Sequence, residues 1–217
     1  MSRILIVTNP CDDKVTEYLD TWSEKAINLA KAQPDTFVYE LRGGKANRED
    51  FVKVIEEKQP QLILFNSHGN HDSITGFNQD VLVRCGENEH LLKDKIIHAM
   101  SCNAGKTLGP EAIKIGGVAY IGYKEEFKLT HLNKNTKAEQ LRDEVAQFFL
   151  EPAYEAIIAL VEGSTVEEAF NRSRKMCADN LTSLITSNSP SLNSSVASRL
   201  YHNYQHQVYL GNGAATF

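Results

Sequence analysis

Short apolar runs alternate with stretches of helical spacing along the first half of the chain. The runs lie at residues 4–7, 37–41, 61–66, 96–101 and 118–123. Few polar side chains interrupt them, which is typical of strands that are covered on both faces of a sheet. Between the first two runs, Val15, Leu19 and Trp22 recur at the spacing of one helix face. Strands that alternate with helices in this way predict an α/β protein with a parallel sheet and right-handed crossovers.

The second half of the chain is mainly helical in pattern. Residues 136–162 keep a helical spacing throughout, and Pro152 is expected to kink or split this helix because proline lacks an N–H donor. The other predicted elements are a hairpin or a loop excursion over residues 73–77 and 81–83, a helix that begins at Ser164-Thr165, a polar loop over 187–195 and a last strand over 207–210. No repeat or linker divides the sequence, so a single domain over residues 1–217 is expected.

Composition narrows the class of protein. Hydrophobic residues make up 41% and charged residues 24%, with a net charge of −5 and no dense basic run, so nucleic acid is not expected as a direct partner. The first seven residues carry too short an apolar run for a secretory signal or a membrane span, which favours a cytoplasmic protein with no membrane contact. Four well-separated cysteines without a C-x-x-C pair fit a reducing compartment.

Two reactive side chains follow neighbouring apolar runs. His68 comes directly after the third strand and Cys102 directly after the fourth. Ligand sites of parallel sheets form beyond the carboxyl ends of the strands, so the two side chains are expected to meet. An imidazole base can activate a thiol for acyl transfer, and the N–H groups of Gly69 and Cys102 would then stabilise the oxyanion.

These residues resemble a known family. Ser67-His68-Gly69 after one strand and the Cys102 segment at residues 101–105 resemble the caspase–gingipain clan of cysteine peptidases, most closely its CHAT branch. Weaker similarity extends over residues 4–213. The resemblance implies a caspase-like three-layer sandwich, with a mostly parallel central sheet flanked by helices. It also implies a cysteine endopeptidase that cleaves a protein or peptide through a thioester, with a His68–Cys102 dyad and with no metal or organic cofactor.

The sequence gives a weaker indication of which substrate residue the site would prefer than of the dyad itself. The segment at residues 100–105 lacks the Q-A-C-x-G form of caspases, so a preference for aspartate is not carried over. Acidic residues beyond the first and fifth strands could pair with a substrate lysine or arginine, and these are Asp12, Asp13, Glu125 and Glu126. The two aspartates also suit helix caps, and the two glutamates suit solvated loop charges.

Parts of the sequence suggest three other functions. Gly105-Lys106-Thr107 is not a phosphate loop, because Met100 stands where the first glycine is required. Zinc could bind a set formed by Cys85, His90, His98 and Cys102, although His98 and Cys102 would lie roughly 13 Å apart along a strand. A caspase-like interaction module without catalysis is the alternative function. Regulation is expected from a partner chain, from assembly, or from the loops at residues 124–135 and 187–195.

Overall fold

The computed structural model describes residues 2–186 and 190–217, and these residues contain the following strands and helices. The strands are β1 (Arg3–Asn9), β2 (Thr36–Arg42), β3 (Leu62–Asn66), β4 (Ser73–Thr75), β5 (Val81–Arg84), β6 (Ile96–Met100), β7 (Ala119–Tyr123) and β8 (Gln207–Gly211). The helices are α1 (Lys14–Ala32), α2 (Arg48–Lys58), α3 (Leu108–Lys114), α4 (Lys137–Gln140), α5 (Glu144–Val161), α6 (Val166–Thr186) and α7 (Pro190–His206). Within the described ranges, every helix is too short or too polar to cross a membrane.

A six-stranded sheet forms the middle layer, in the order β2-β1-β3-β6-β7-β8. Each adjacent pair is parallel except β7 and β8, which run antiparallel. The mostly parallel sheet predicted from the sequence is therefore confirmed. Strands β4 and β5 form a separate antiparallel hairpin, which was one of the two structures expected for this segment from the sequence.

Alternate residues of the central strands supply two apolar cores. Leu62 and Leu64 of β3 face a core that includes α1 and α5. Ile63 and Phe65 of the same strand face a second core with α2 and α3 on the opposite side. Helices therefore cover both faces, and the three-layer arrangement is confirmed. Burial on both faces explains why these strands have almost no polar positions.

The predicted helix at residues 136–162 is two helices, but the break does not lie at Pro152. Helix α4 ends at Gln140, and Asp143 begins α5 by accepting hydrogen bonds from the N–H groups of Val145 and Ala146. Helix α5 continues through Pro152, so the predicted split there is wrong. Proline has no N–H group, so Pro152 cannot donate a hydrogen bond to the Phe148 carbonyl one turn earlier. That carbonyl instead accepts a hydrogen bond from the Asn180 side chain at 3.2 Å.

The segment predicted as a loop, residues 187–195, is helical from residue 190 onward. Residues 187–189 lie outside the described residues, but from Pro190 onward the chain belongs to α7. This helix was not predicted. Its apolar positions Val196 and Leu200 are buried against α5 and α6, and packing therefore supports a sequence with weak intrinsic helix preference.

Candidate active site

His68 and Cys102 follow the carboxyl ends of two neighbouring strands, at the same edge of the sheet. Asn66 of β3 is paired with Met100 of β6, and each lies two residues before one of the reactive side chains. Both side chains line one cavity of about 470 Å³ at this edge of the sheet. The structure thus brings together the two residues that the sequence singled out.

The loops that follow β3 and β6 are in close contact. A Cβ atom at position 69 would lie 2.9 Å from the Ser73 carbonyl oxygen and 3.1 Å from Ser101 Cβ. Glycine is therefore required at this position by packing. Within residues 2–186 and 190–217, neither the Gly69 N–H nor the Cys102 N–H donates a hydrogen bond, so both donors are available to a ligand.

The closest polar partner of the His68 ring is a carboxylate. Its Nε2 lies 2.5 Å from Oδ2 of Asp13. Asp13 is also the N-cap of α1, where its Oδ1 accepts the Thr16 N–H at 2.8 Å. Burial acts to raise the pKa of Asp13, but the hydrogen bonds from Thr16 and His68 outweigh it, so this pKa lies below its usual value. Asp13 is therefore ionised near neutral pH.

The Cys102 thiol is partly covered by the loop at residues 124–135. Burial raises the pKa of this thiol, and the nearby Glu126 carboxylate raises it further. A hydrogen bond from the Phe127 backbone and the charge of Lys128 act in the opposite direction and do not compensate. The sulfur is therefore a protonated thiol near neutral pH, not a preformed thiolate.

The other acidic candidates from the sequence all have partners. Asp12 accepts the Asn78 N–H at 2.8 Å, away from the cavity lining. Glu125 lies 3.4 Å from the ammonium group of Lys106. Glu126 lines the cavity with His68 and Cys102, and it forms an ion pair with Lys128.

The remaining cavity wall was not foreseen from the sequence. It consists of Val15 from α1, Phe127, Lys128 and Leu129 from the loop at residues 124–135, and Arg199 from α7. The loop was expected to have a regulatory role, but no sequence signal placed it over Cys102. Arg199 had no signal because α7 itself was not predicted.

A second cavity, of about 390 Å³, lies among residues that follow the two reactive side chains. It is lined by Asn70 and His71 from the loop after His68, and by Asn103, Lys106 and Thr107 from the segment after Cys102. All five of these residues carry polar side chains.

Metal-ligating groups converge at one place in the described part of the chain. The ligand atoms of Asp12, Asp13 and His68 lie within 4.8 Å of one another. The set proposed from the sequence (Cys85, His90, His98 and Cys102) does not converge among the described residues. His98 is buried within β6, where burial lowers its pKa to about 4. The carboxylates of Asp12 and Asp13 already accept protein hydrogen bonds, so the convergence by itself is no argument for a metal.

No protein-family model matches the chain. No curated protein matches it at a significant level.

Proposed function

We propose that this chain is a caspase-like cysteine endopeptidase in which Cys102 is the nucleophile and His68 the general base. One observation carries the proposal: the register of β3 and β6 delivers both side chains to the same cavity. Two free N–H groups in the same loops, those of Gly69 and Cys102, support it, because acyl transfer needs donors for a developing oxyanion.

The proposed reaction has two halves. The thiol proton passes to His68 while Sγ of Cys102 forms a bond to the substrate carbonyl carbon, and the oxyanion accepts hydrogen bonds from the two free N–H groups. The C–N bond then breaks, and the imidazolium gives its proton to the leaving amine. A water molecule next attacks the thioester with His68 as base, which releases the acid and restores the thiol.

The protonated state of the thiol bears on regulation. A thiol with a raised pKa reacts slowly until its proton is removed, so the resting arrangement favours low activity. Asn203 holds the covering loop on α7 through two hydrogen bonds to the Lys128 backbone, at 2.8 and 2.9 Å. We therefore expect that a partner chain or a bound substrate moves this loop during activation.

The cellular location follows from the same chemistry. All four cysteines, each in the described part of the chain, are free thiols. Free thiols are typical of reducing compartments, and we propose a cytoplasmic location.

Cleavage of a random peptide library, followed by mass spectrometry, tests the proposal. Cys102→Ala should abolish cleavage, and His68→Ala should reduce it by about 10²- to 10⁴-fold, the usual contribution of general acid–base catalysis. Cys85→Ala is the matched control, because Cys85 is outside the cavity that contains Cys102. Circular dichroism would verify that each variant is folded. Cleavage by folded Cys102→Ala would contradict the assignment.

The alternative function, a non-catalytic interaction module, predicts a different labelling pattern. A working dyad should react with peptidyl acyloxymethyl ketones at Cys102 alone. A module should show slow labelling of several cysteines and no cleavage.

A further inference from the structure

The contact between Asp13 and His68 depends on two neighbouring strands. Asp13 follows β1 and His68 follows β3, which pair in parallel. Buried hydrogen bonds join the ends of these strands: Thr8 Oγ1 lies 3.0 Å from Ser67 Oγ, and Asn66 Nδ2 donates to Asn9 Oδ1 at 2.6 Å. These hydrogen bonds fix the position of the loop that carries Asp13 relative to the loop that carries His68.

Each carboxylate oxygen of Asp13 has its own partner. Oδ1 accepts the Thr16 N–H in the cap of α1, and Oδ2 lies against Nε2 of the His68 ring. The helix cap thus orients the carboxylate, and the carboxylate in turn orients the ring. Asp12, the adjacent residue, instead accepts a hydrogen bond from the Asn78 N–H. The two aspartates therefore bind different partners.

The contact also determines which ring nitrogen can act as a base. A neutral imidazole has one N–H donor and one acceptor nitrogen. A carboxylate accepts only, so Nε2 must carry the proton, and Nδ1 is left with a free lone pair. Nδ1 is then the nitrogen available to the Cys102 thiol.

We propose that Asp13 is a positioning residue that holds His68 in the Nε2-protonated tautomer and leaves Nδ1 as the base for Cys102. This proposal rests on the proposed peptidase function and extends its dyad to a third residue. It reassigns Asp13, which the sequence suggested as a substrate-binding group, to the orientation of the imidazole. The competing possibility is that Asp13 draws the ring away from the thiol and restrains the enzyme.

Two substitutions separate the ring contact from the helix cap. Asp13→Ser keeps a good N-cap, because serine and aspartate cap helices about equally, but its short side chain cannot reach the ring. Asp13→Asn keeps the shape of the side chain and offers an amide that can donate to the ring. Asp12→Asn is the matched control, because it removes the neighbouring negative charge and leaves the contact between Asp13 and His68 in place.

The first readout is the tautomer of His68, measured by ¹⁵N NMR of the imidazole in the full chain. Nε2 protonation is expected in the wild type and in Asp12→Asn, and mixed or reversed protonation in Asp13→Ser and Asp13→Asn. The second readout is peptide cleavage. We expect kcat to fall by about 10²- to 10⁴-fold in the Asp13 variants, with KM changed by less than about threefold.

Each outcome has a distinct meaning. An unchanged tautomer and unchanged kcat in Asp13→Ser would reduce Asp13 to a helix cap and overturn the proposal. A rise in kcat would show that Asp13 restrains the ring, and would overturn it as well. A changed tautomer in a chain that cleaves no peptide, even as wild type, would support positioning by Asp13 while rejecting the peptidase function.

Discussion

At the scale of single residues, the thiol of Cys102 shows how position changes chemistry. A cysteine beside a histidine suggests an activated thiolate, yet burial under the loop at residues 124–135 raises the pKa of this thiol. The nearest charges belong to Glu126 and Lys128, which form an ion pair with each other and act on the sulfur in opposite directions. The thiol of Cys102 is therefore protonated at neutral pH.

Glu126 and Lys128 allow this electrostatic balance to be tested. Glu126→Gln should lower the pKa of Cys102, and Lys128→Met should raise it, because the carboxylate disfavours the thiolate and the ammonium group favours it. The measurement is the pH midpoint of Cys102 alkylation by iodoacetamide, with the labelled site identified by mass spectrometry. Identical midpoints in both variants, or shifts of the opposite sign, would contradict the role given to these charges.

The preference for a basic substrate residue stays a prediction. In the structure, each of the four acidic residues on which it rests already has a protein partner. Asp13 is committed to His68, Asp12 to the Asn78 N–H, and Glu125 and Glu126 lie beside lysines. A substrate cation would compete with these existing partners. Any selectivity from the four acidic groups should therefore be small.

At the scale of elements, the first residue before α5 joins three parts of the fold. Asp143 caps α5 and also accepts hydrogen bonds at 2.6 Å from the Tyr18 hydroxyl of α1 and from the Leu132 N–H of the covering loop. Burial acts to raise the pKa of this carboxyl, but the Ala146 N–H, Tyr18 and the Leu132 N–H together lower it. One buried carboxylate therefore fixes the helix, its neighbour and the loop.

Removal of this carboxylate should destabilise the whole domain. Asp143→Ala is expected to lower the free energy of unfolding by about 2–4 kcal/mol, from the lost cap and the unpaired buried donors. Thr136→Ala, which removes the cap of the exposed helix α4, should cost only about 1 kcal/mol. Urea unfolding would measure both. Equal losses would show that the contacts to α1 and the loop contribute little.

The same carboxylate gives stability a defined pH dependence. The pKa of Asp143 is lower in the folded state than in the unfolded state, so its contribution is present above about pH 4 and is lost as the pH falls through the folded-state pKa. The difference in unfolding free energy between the wild type and Asp143→Ala should shrink as the pH is lowered from 5 toward 3. A difference that is constant over this range would rule out the ionised carboxylate as its source.

At the scale of the whole molecule, the site exists because loops from separate strands pack against each other. Gly69 lies at this junction, where an added methyl group would meet the Ser73 carbonyl and Ser101. Gly69→Ala should cost about 1–3 kcal/mol of stability and displace the two reactive side chains from each other. Gly44→Ala, at a position with no atom within 4 Å of the added Cβ, should change stability by less than about 0.5 kcal/mol. Urea midpoints and peptide cleavage would be compared, and equal behaviour of the two variants would contradict the tight junction.

Much of the architecture could be predicted because local patterns report burial directly. Continuous apolar runs marked β1, β3 and β6, since these strands are covered on both faces, and the polar residues after them marked their ends. Asp13 was recognisable as a helix cap, because a cap needs only the residues next to it.

Other features could not be predicted because their causes are distant in the sequence. Helix α7 is rich in serine and asparagine and is supported by packing of Val196 and Leu200 against other helices. The break before Asp143 lies in a continuous helical pattern, and contacts with Tyr18 and Leu132 favour it. Pro152 does not split α5, and the Asn180 side chain satisfies the carbonyl that proline leaves free.

The sequence by itself determined that an imidazole and a thiol stand at the ends of buried strands, because strand ends are encoded by local hydrophobicity and turn residues. Only the tertiary structure decided that the imidazole contacts Asp13 and that the thiol lies protonated beneath a loop. Both depend on side chains from distant elements, whose distances and desolvation arise only when the layers pack together.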